Sequence, residues 1–381
     1  MAVDISPRFL FKRIKHSVCF FIQRRNHVKT KWAGTRAKRP ATDLALQHFD
    51  ATYSLQLGDL WPSVRIGMLS EKKYGALVNN FASTSDVISG FHSKGCRDFI
   101  SAALTEKPAV EPELHDHSAA PVSSNIQCFV FPRGDISRFK SARPDSNGLL
   151  NYYLLDAASV LPVLALDVQP GHSVLDLCAG PGGKTLALLQ TQVVRFLWAN
   201  DLSGPRTVRL HRTLQSYLPR ELLMEGTVHV TSLDGRQWRN KEDTGFDKVL
   251  VDVPCTTDRH SLMEEENNIF KRSRTKERQM LPLLQMELLL AGIHAARPGG
   301  DVLYSTCSLS QLQNECVVQQ AVSLAQQEMG VRVEVQSLCS FVQLFSHTFH
   351  FAPQPAVGEL VLPHLCANFG PIYMCKLRRM S

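Results

Sequence analysis

Apolar runs of strand length alternate with amphipathic stretches of helical length from Tyr152 onward. The runs predict seven strands, at 172–178, 196–201, 228–232, 246–252, 300–306, 331–335 and 370–377. The stretches between them predict helices, notably at 183–191, 204–217, 277–296 and 311–328. This alternation is typical of an α/β domain with a mainly parallel sheet, in which ligands bind beyond the carboxyl ends of the strands.

Residues 38–105 lack this alternation, predict helices and loops, and contain no chemical motif, while "CFVFPRGDISRF", from Cys128 onward, predicts a short strand followed by a basic turn. We expect a smaller, mostly helical region over 26–150, because a chain of 381 residues exceeds the size at which a single core usually stops growing. Within this region, residues 106–124 mix proline, acids, alanine and serine without periodicity, which predicts an exposed loop. The α/β domain is expected over 151–381.

The formal net charge of +7 comes from the N-terminus. Residues 1–40 hold 11 of the 42 lysines and arginines and one acid, so the rest of the chain is close to neutral. Four apolar residues of the first 25 would share one face if the segment were helical: Leu10, Ile14, Val18 and Phe21. This composition predicts a mitochondrial transit peptide over 1–25, with a basic RNA-binding arm as the alternative. A nearly neutral body means that RNA binding requires a local basic patch or a partner protein.

The ten cysteines include no CxxC pair and no regular spacing, so we expect neither a disulfide framework nor a metal site. No run of 18 apolar residues is present, and we expect no membrane span. Two of the cysteines, Cys255 in "DVPCTTDRH" and Cys307 in "YSTCSLSQLQNE", follow predicted strands directly. Their side chains can meet if those strands are neighbours, although a buried structural cysteine is the alternative for each.

The first strand of the predicted domain ends in a glycine loop, "VLDLCAGPGGKT" at 174–185. Glycines let the backbone approach a ligand closely, and the amides that open the next helix can donate to it. Cys178 excludes a Walker A loop and Thr185 excludes a dinucleotide fingerprint, because each stands where a glycine is required. At the next two strand ends, Asp201 can accept from ribose hydroxyls and Asp234 from an adenine amino group, although Asp201 also suits a helix N-cap. Together these features predict a nucleoside ligand without a long phosphate chain.

Three stretches, "LDLCAGPGGKT", "DVPCTTDRH" and "YSTCSLSQLQNE", resemble motifs I, IV and VI of the NSUN-type (Sun/Fmu) RNA cytosine-5 methyltransferases. The resemblance covers about residues 150–381. Four others, "WPSVR", "KYGALVNNF", "RGDISRF" and "TTDRHSLMEEENNIFKRSR", are similar to the mitochondrial ribosomal-RNA branch of that family. The resemblance implies a Rossmann-like class I methyltransferase fold and S-adenosylmethionine as cofactor. It also implies a cofactor-binding set: Gly182, Gly183, Lys184, Asp201, Arg206, Asp234 and Asp252.

The same resemblance implies a role for each of the two cysteines. Carbon 5 of cytosine is a weak nucleophile, and addition of a thiolate at carbon 6 turns the ring into an enamine whose carbon 5 can take a methyl group. Cys307 is implied as that nucleophile, and Cys255 as the residue that assists release of the product. Asp252 would hydrogen-bond the amino or N3 edge of the base. Lys184 and the sulfonium of the methyl donor would promote ionisation of Cys307.

Four cations follow Cys255 closely enough to meet RNA phosphates: Arg259, Lys271, Arg272 and Arg274. The acids at 264–266 cancel much of this charge, so a solvated charged surface is the alternative. The target cytosine must lie in a single strand or be flipped out, because stacking in a duplex blocks access to carbon 6.

With the predicted transit peptide, the resemblance implies an enzyme of the mitochondrial matrix that makes 5-methylcytidine in small-subunit ribosomal RNA and takes part in mitoribosome assembly. The implied partners are ribosomal RNA, mitochondrial ribosomal subunits and an mTERF-type helical-repeat protein that supplies basic RNA-binding surface. One alternative is a non-catalytic assembly factor that acts through such a partner. The other, a P-loop NTPase, is disfavoured by Cys178.

Overall fold

A computed structural model describes residues 39–105, 125–240, 245–353 and 355–381 of the chain. The predicted transit peptide and the predicted loop at 106–124 lie outside these residues. Residues 40–381 form one compact unit. Within the described residues, no helix is long and apolar enough to cross a membrane.

The N-terminal part of this unit combines helices with a small antiparallel sheet. Its elements are α1 (Ala41–Leu57), α2 (Trp61–Leu69), β1 (Gly75–Val78), α3 (Ser85–Ser93), β2 (Arg97–Asp98), α4 (Phe99–Thr105), β3 (Cys128–Val130), β4 (Tyr152–Leu155) and α5 (Leu161–Leu166). The four strands pair in the order β2, β3, β1, β4. The helices and β3 agree with the predictions from the sequence, whereas the other three strands of this sheet were not predicted. Because β4 lies beyond residue 150, the small sheet draws on both sides of the predicted boundary.

The C-terminal part builds the large sheet. Its elements are β5 (Ser173–Asp176), α6 (Gly183–Gln190), β6 (Phe196–Asn200), α7 (Gly204–Tyr217), α8 (Arg220–Met224), β7 (Val228–Thr231), β8 (Phe246–Asp252), α9 (Asp258–Met263), α10 (Thr275–Ala295), β9 (Ala296–Thr306), α11 (Glu315–Met329), β10 (Val333–Gln336), α12 (Cys339–Phe345), β11 (Glu359–Val361) and β12 (Ile372–Arg379). Seven strands lie in the order β10, β12, β9, β8, β5, β6, β7, and the short β11 pairs with β12.

The five strands β9, β8, β5, β6 and β7 are parallel, and β12 is antiparallel to β9, β10 and β11. Each of the seven predicted strands is present in this sheet, which confirms the prediction of an α/β fold with a mainly parallel seven-stranded sheet. The central strands are buried on both faces, so they appear in the sequence as continuous apolar runs.

Helices cover both faces of the large sheet. One core includes residues of α5, α6 and α7, and a second core includes residues of α1, α10 and α11. Helix α10 lies very close to β8, since a Cβ placed on Gly292 would come within 2.5 Å of Val251. The chain order reverses between β5 and β8, so the loops after these strands diverge and leave a crevice at the carboxyl edge, where ligands of such sheets bind.

Candidate active site

The two cysteines singled out in the sequence meet at the carboxyl ends of neighbouring strands. Asp252 of β8 lies opposite Ser305 of β9 in the parallel register, so the segments that follow leave the sheet side by side. As a result the Sγ atoms of Cys255 and Cys307 are 3.5 Å apart. Cys255 is buried, and Cys307 is partly exposed toward a cavity of about 600 Å³.

The two neighbouring thiols influence each other's ionisation. A hydrogen bond from Cys307 lowers the pKa of Cys255, and the Thr257 amide also donates to the Cys255 sulfur at 3.3 Å. The same contact with Cys255, together with burial, raises the pKa of Cys307. Two thiolates at this separation repel each other, so the pair holds one negative charge, and the donation from the Thr257 amide favours that charge on Cys255.

Asp252 and Lys184 form an ion pair beside the thiols. The Lys184 ammonium lies 2.9 Å from Asp252 Oδ2, and the Ser305 hydroxyl donates to Oδ1 at 2.7 Å. Burial opposes the charge on Lys184, but Asp252, Cys307 and Asp176 together outweigh burial and raise the lysine pKa. The ammonium also favours ionisation of Cys307. The structure therefore brings Lys184, Asp252 and Cys307 together, as the sequence analysis expected.

The glycine loop runs from β5 into α6. Gly182 has a φ of 113°, a backbone conformation that side chains disfavour, and it directly precedes the helix. The Gly180 amide donates to Asp201 at 3.0 Å, so Asp201 fixes the loop from the end of β6. Arg206 lies 3.9 Å from the same carboxylate and is half exposed.

A cavity of about 250 Å³ lies between this loop and β8. Three residues of the predicted cofactor set line it, namely Gly183, Lys184 and Asp252. The rest of the set lies outside its lining: Gly182, Asp201, Arg206 and Asp234. The carboxylate of Asp234 is held by Arg236, which also lowers its pKa.

Asp176, at the end of β5, also lines this cavity and was not predicted as a site residue. Its Oδ2 accepts from the Thr185 hydroxyl at 2.7 Å, whereas its buried Oδ1 has no hydrogen-bond partner among the described residues. Burial raises the pKa of Asp176 to about 7. A buried acceptor without a donor in the wall of a cavity fits a ligand that donates a hydrogen bond there.

A second unpredicted carboxylate joins the two cysteine loops. Asp258, fully buried, accepts from the Leu309 amide at 2.7 Å and from Tyr53 of α1 at 2.8 Å. Its own amide donates to the carbonyl of Cys307 at 3.1 Å. The hydroxyl of Thr256 donates to Asp258 as well. Asp258 therefore connects the segment after Cys255, the segment after Cys307 and the N-terminal helix.

The four cations predicted to contact RNA fall into two groups. Arg259 is only 8% exposed, and its guanidinium donates to Asn368 and to the carbonyls of Gly67, Ser70 and Gly370. This part of the prediction is wrong, because the protein itself uses the donors that a phosphate would need.

Arg274, the second cation with protein partners, pairs with Glu277 at 2.6 Å. This pair leaves Arg274 less available than the sequence analysis expected. Lys271 and Arg272 are exposed, and their contact with RNA stays a prediction.

Comparisons with known proteins agree on one family. A family model described as 16S rRNA methyltransferase RsmB/F matches residues 163–359. The chain is 55% identical to 5-cytosine rRNA methyltransferase NSUN4 of Xenopus laevis, over 98% of each chain. It is 36% identical to the mitochondrial tRNA (cytosine(34)-C(5))-methyltransferase of Mus musculus, over 92% of this chain and 94% of that one.

A solved methyltransferase homologue from Pyrococcus horikoshii is similar in fold, with a TM-score of 0.58 and 21% identity, and the match covers 89% of this chain and 98% of that chain. The family match and the 55% identity confirm the resemblance that the three sequence motifs carried. The chain belongs to the RsmB/F family and is an S-adenosylmethionine-dependent rRNA cytosine-5 methyltransferase.

Proposed function

We propose that the protein methylates carbon 5 of a cytidine in mitochondrial small-subunit ribosomal RNA, with Cys307 as nucleophile. The observation that carries this proposal is the 3.5 Å separation of the Cys255 and Cys307 sulfurs beside the Lys184–Asp252 ion pair. The 55% identity to a relative named as a 5-cytosine rRNA methyltransferase supports ribosomal RNA over transfer RNA, for which the identity is 36%.

We place the methyl donor in the cavity between the glycine loop and β8, which Gly183, Lys184 and Asp252 line. S-adenosylmethionine supplies an electrophilic methyl group, and its amino-acid part carries an ammonium group. The unpartnered Oδ1 of Asp176 is a suitable acceptor for that ammonium. Gly183 lines the cavity and would let the backbone approach the ligand, while Gly182 stays in the proposed set as the residue that opens α6. Asp201, Arg206 and Asp234 stay in the proposed binding set as the residues at and beyond the ends of β6 and β7.

The thiol pair can activate the nucleophile without another base. When the Cys307 sulfur bonds to carbon 6 of cytosine, the Cys307 proton moves to the Cys255 thiolate 3.5 Å away. The ring then carries the negative charge. Asp252 accepts a hydrogen bond from the amino group of the base and holds it in register, while Lys184 offsets the negative charge of Asp252.

Cys255 acts again after carbon 5 has received the methyl group. The Cys255 thiol first releases its proton to solvent and then removes the proton from carbon 5. The double bond between carbons 5 and 6 forms again, the bond from carbon 6 to sulfur breaks, and Cys307 leaves as a thiolate. Each cycle therefore produces one proton, and the pair returns to a single negative charge.

The cellular setting of this proposal is the mitochondrial matrix. It rests on the basic N-terminal composition and on the name of the murine tRNA relative. We further propose a role in mitoribosome assembly, together with an mTERF-type partner that compensates for the nearly neutral body of the chain. The same charge balance favours a second candidate function, assembly without catalysis. Rescue of mitoribosome assembly by a Cys307→Ala protein would separate the two.

The catalytic proposal is tested with purified protein, labelled methyl donor and a small-subunit rRNA transcript. We expect the wild type to label cytosines, Cys307→Ala to be inactive, and Cys255→Ala to accumulate a covalent RNA adduct that resists denaturation. The matched control is Cys316→Ala, because Cys316 is exposed and not part of the site. Equal labelling by wild type and Cys307→Ala, or an adduct that does not depend on Cys307, would refute the assignment.

A further inference from the structure

The cavity beside Cys307 and the cavity of the glycine loop share one wall. This wall contains Lys72 and Tyr74, from the segment between α2 and β1, together with Asp156 and Ser159. The two cavities therefore meet at the segment around Lys72 and Tyr74, which lies far from either cysteine in the sequence. A nucleotide whose base reaches Cys307 through the larger cavity lies beside residues of this wall.

Lys72 is the cation of this wall that remains available to a ligand. Arg259, which lines the same cavity, donates to four protein oxygens, and Lys184 is paired with Asp252. Lys72 is exposed, and its ammonium lies 4.9 Å from the centre of the Tyr74 ring. In the ranges that the structure describes, it has no hydrogen-bond acceptor.

Tyr74 places an aromatic surface beside this charge. Its side chain is 41% exposed, although the strand that follows it, β1, is buried throughout. Recognition of unpaired RNA combines such a surface, on which a base stacks, with a cation that meets the backbone. An exposed tyrosine and a lysine that contacts it, both lining the cavity that Cys307 also lines, satisfy both requirements.

We propose that Lys72 and Tyr74 form an RNA subsite in which Lys72 binds the phosphate of the target nucleotide and Tyr74 stacks on a neighbouring unpaired base. This inference rests on the proposed function, because it takes the occupant of the larger cavity to be a flipped cytidine. The subsite is made by the N-terminal part of the unit, so the RNA lies between that part and the large sheet.

The subsite is tested by the affinity of the full chain for a fluorescent single-stranded RNA of about 15 nucleotides with one central cytidine, at several salt concentrations. Lys72→Ala should reduce the slope of log affinity against log salt by about 0.7, the value for one phosphate contact on a single strand. Lys72→Arg should keep the slope. Tyr74→Ala should weaken binding about 10- to 100-fold, whereas Tyr74→Phe should bind like the wild type.

Lys94→Ala serves as the control, because Lys94 is also exposed but lines a different cavity. In methylation assays, Lys72→Ala and Tyr74→Ala should raise KM with little change in kcat, because neither residue touches the reacting atoms. If the Lys72 variant keeps the wild-type slope and Tyr74→Ala binds as tightly as Tyr74→Phe, the subsite is refuted. Binding is measured on the Cys307→Ala background as well, so a failure of the catalytic proposal stays distinguishable.

Discussion

Replacement of Tyr53 by phenylalanine removes one hydroxyl from the junction of α1 with the cysteine loops. This hydroxyl donates at 2.8 Å to Asp258, and both residues are almost fully buried. A hydrogen bond to a charged group contributes about 1.5–3 kcal/mol to stability. We therefore expect Tyr53→Phe to lower the free energy of unfolding by about 1.5–3 kcal/mol.

A matched substitution elsewhere isolates the effect of the charge. The Tyr217 hydroxyl is also buried, but it donates to the neutral carbonyl of Tyr152 at 3.2 Å. Tyr217→Phe should therefore cost about 0.5–1.5 kcal/mol, the usual range for a neutral hydrogen bond. The comparison uses the same chemical change in both variants, so differences in ring packing largely cancel.

Urea unfolding of the wild type and both variants, followed by tryptophan fluorescence, gives the two costs. Burial raises the pKa of Asp258, so its contribution to stability falls as the pH rises through the folded pKa. Loss of the Tyr53 donor raises this pKa further, so the cost of Tyr53→Phe should grow with pH, while the cost of Tyr217→Phe should stay constant. Equal costs at every pH would refute the view that Tyr53 supports a buried carboxylate.

Three further predictions concern single side chains. The pKa of about 7 for Asp176 lies above its unfolded value, so the contribution of this group to the stability of the protein falls as the pH rises toward 7. Between pH 5 and pH 8, the free energy of unfolding of Asp176→Asn should therefore rise by about 2–3 kcal/mol relative to that of the wild type, as measured by urea unfolding. Parallel curves of stability against pH for the two proteins would contradict this. Arg259→Met should lower the free energy of unfolding by at least about 2 kcal/mol, because four acceptors lose their donor, and should leave the salt dependence of RNA binding unchanged. Lys271→Ala and Arg272→Ala should each reduce the salt slope by about 0.7 and shift stability by less than about 0.5 kcal/mol; an unchanged slope would show that neither residue meets RNA.

The large sheet could be predicted from the sequence because burial on both faces makes its strands visible as apolar runs. The predicted strand at 246–252 coincides with β8, and the predicted helix at 204–217 coincides with α7. The convergence of Cys255 and Cys307 followed from the same reasoning, since parallel neighbouring strands end at one edge. Local sequence patterns were sufficient to predict the helices of several turns and the parallel strands of the large sheet.

Apart from β3, the strands of the small sheet could not be predicted because they are too short to show a period. β1 has four residues, all buried, and β2 has two. The contact between Tyr53 and Asp258 joins residues 205 positions apart, so no local pattern indicates it. Asp176 was missed for another reason. In the sequence it is a single polar residue in an apolar run, and nothing there shows that one of its carboxylate oxygens is buried without a hydrogen-bond partner among the described residues.

The cations show why proximity in the sequence is a poor guide to RNA contact. Arg259 was assigned to phosphates because it lies four residues after Cys255, yet α9 turns it inward, where it joins α2 to the segment before β12. A buried guanidinium with four acceptors would lose those bonds on meeting a phosphate, and this cost opposes binding. Lys72 lies far earlier in the chain, but it lines the cavity of Cys307, and among the described residues its ammonium has no hydrogen-bond acceptor. A cation can bind the substrate when it has access to the cavity and no protein acceptor competes for it. Its distance along the chain from the nucleophile matters less.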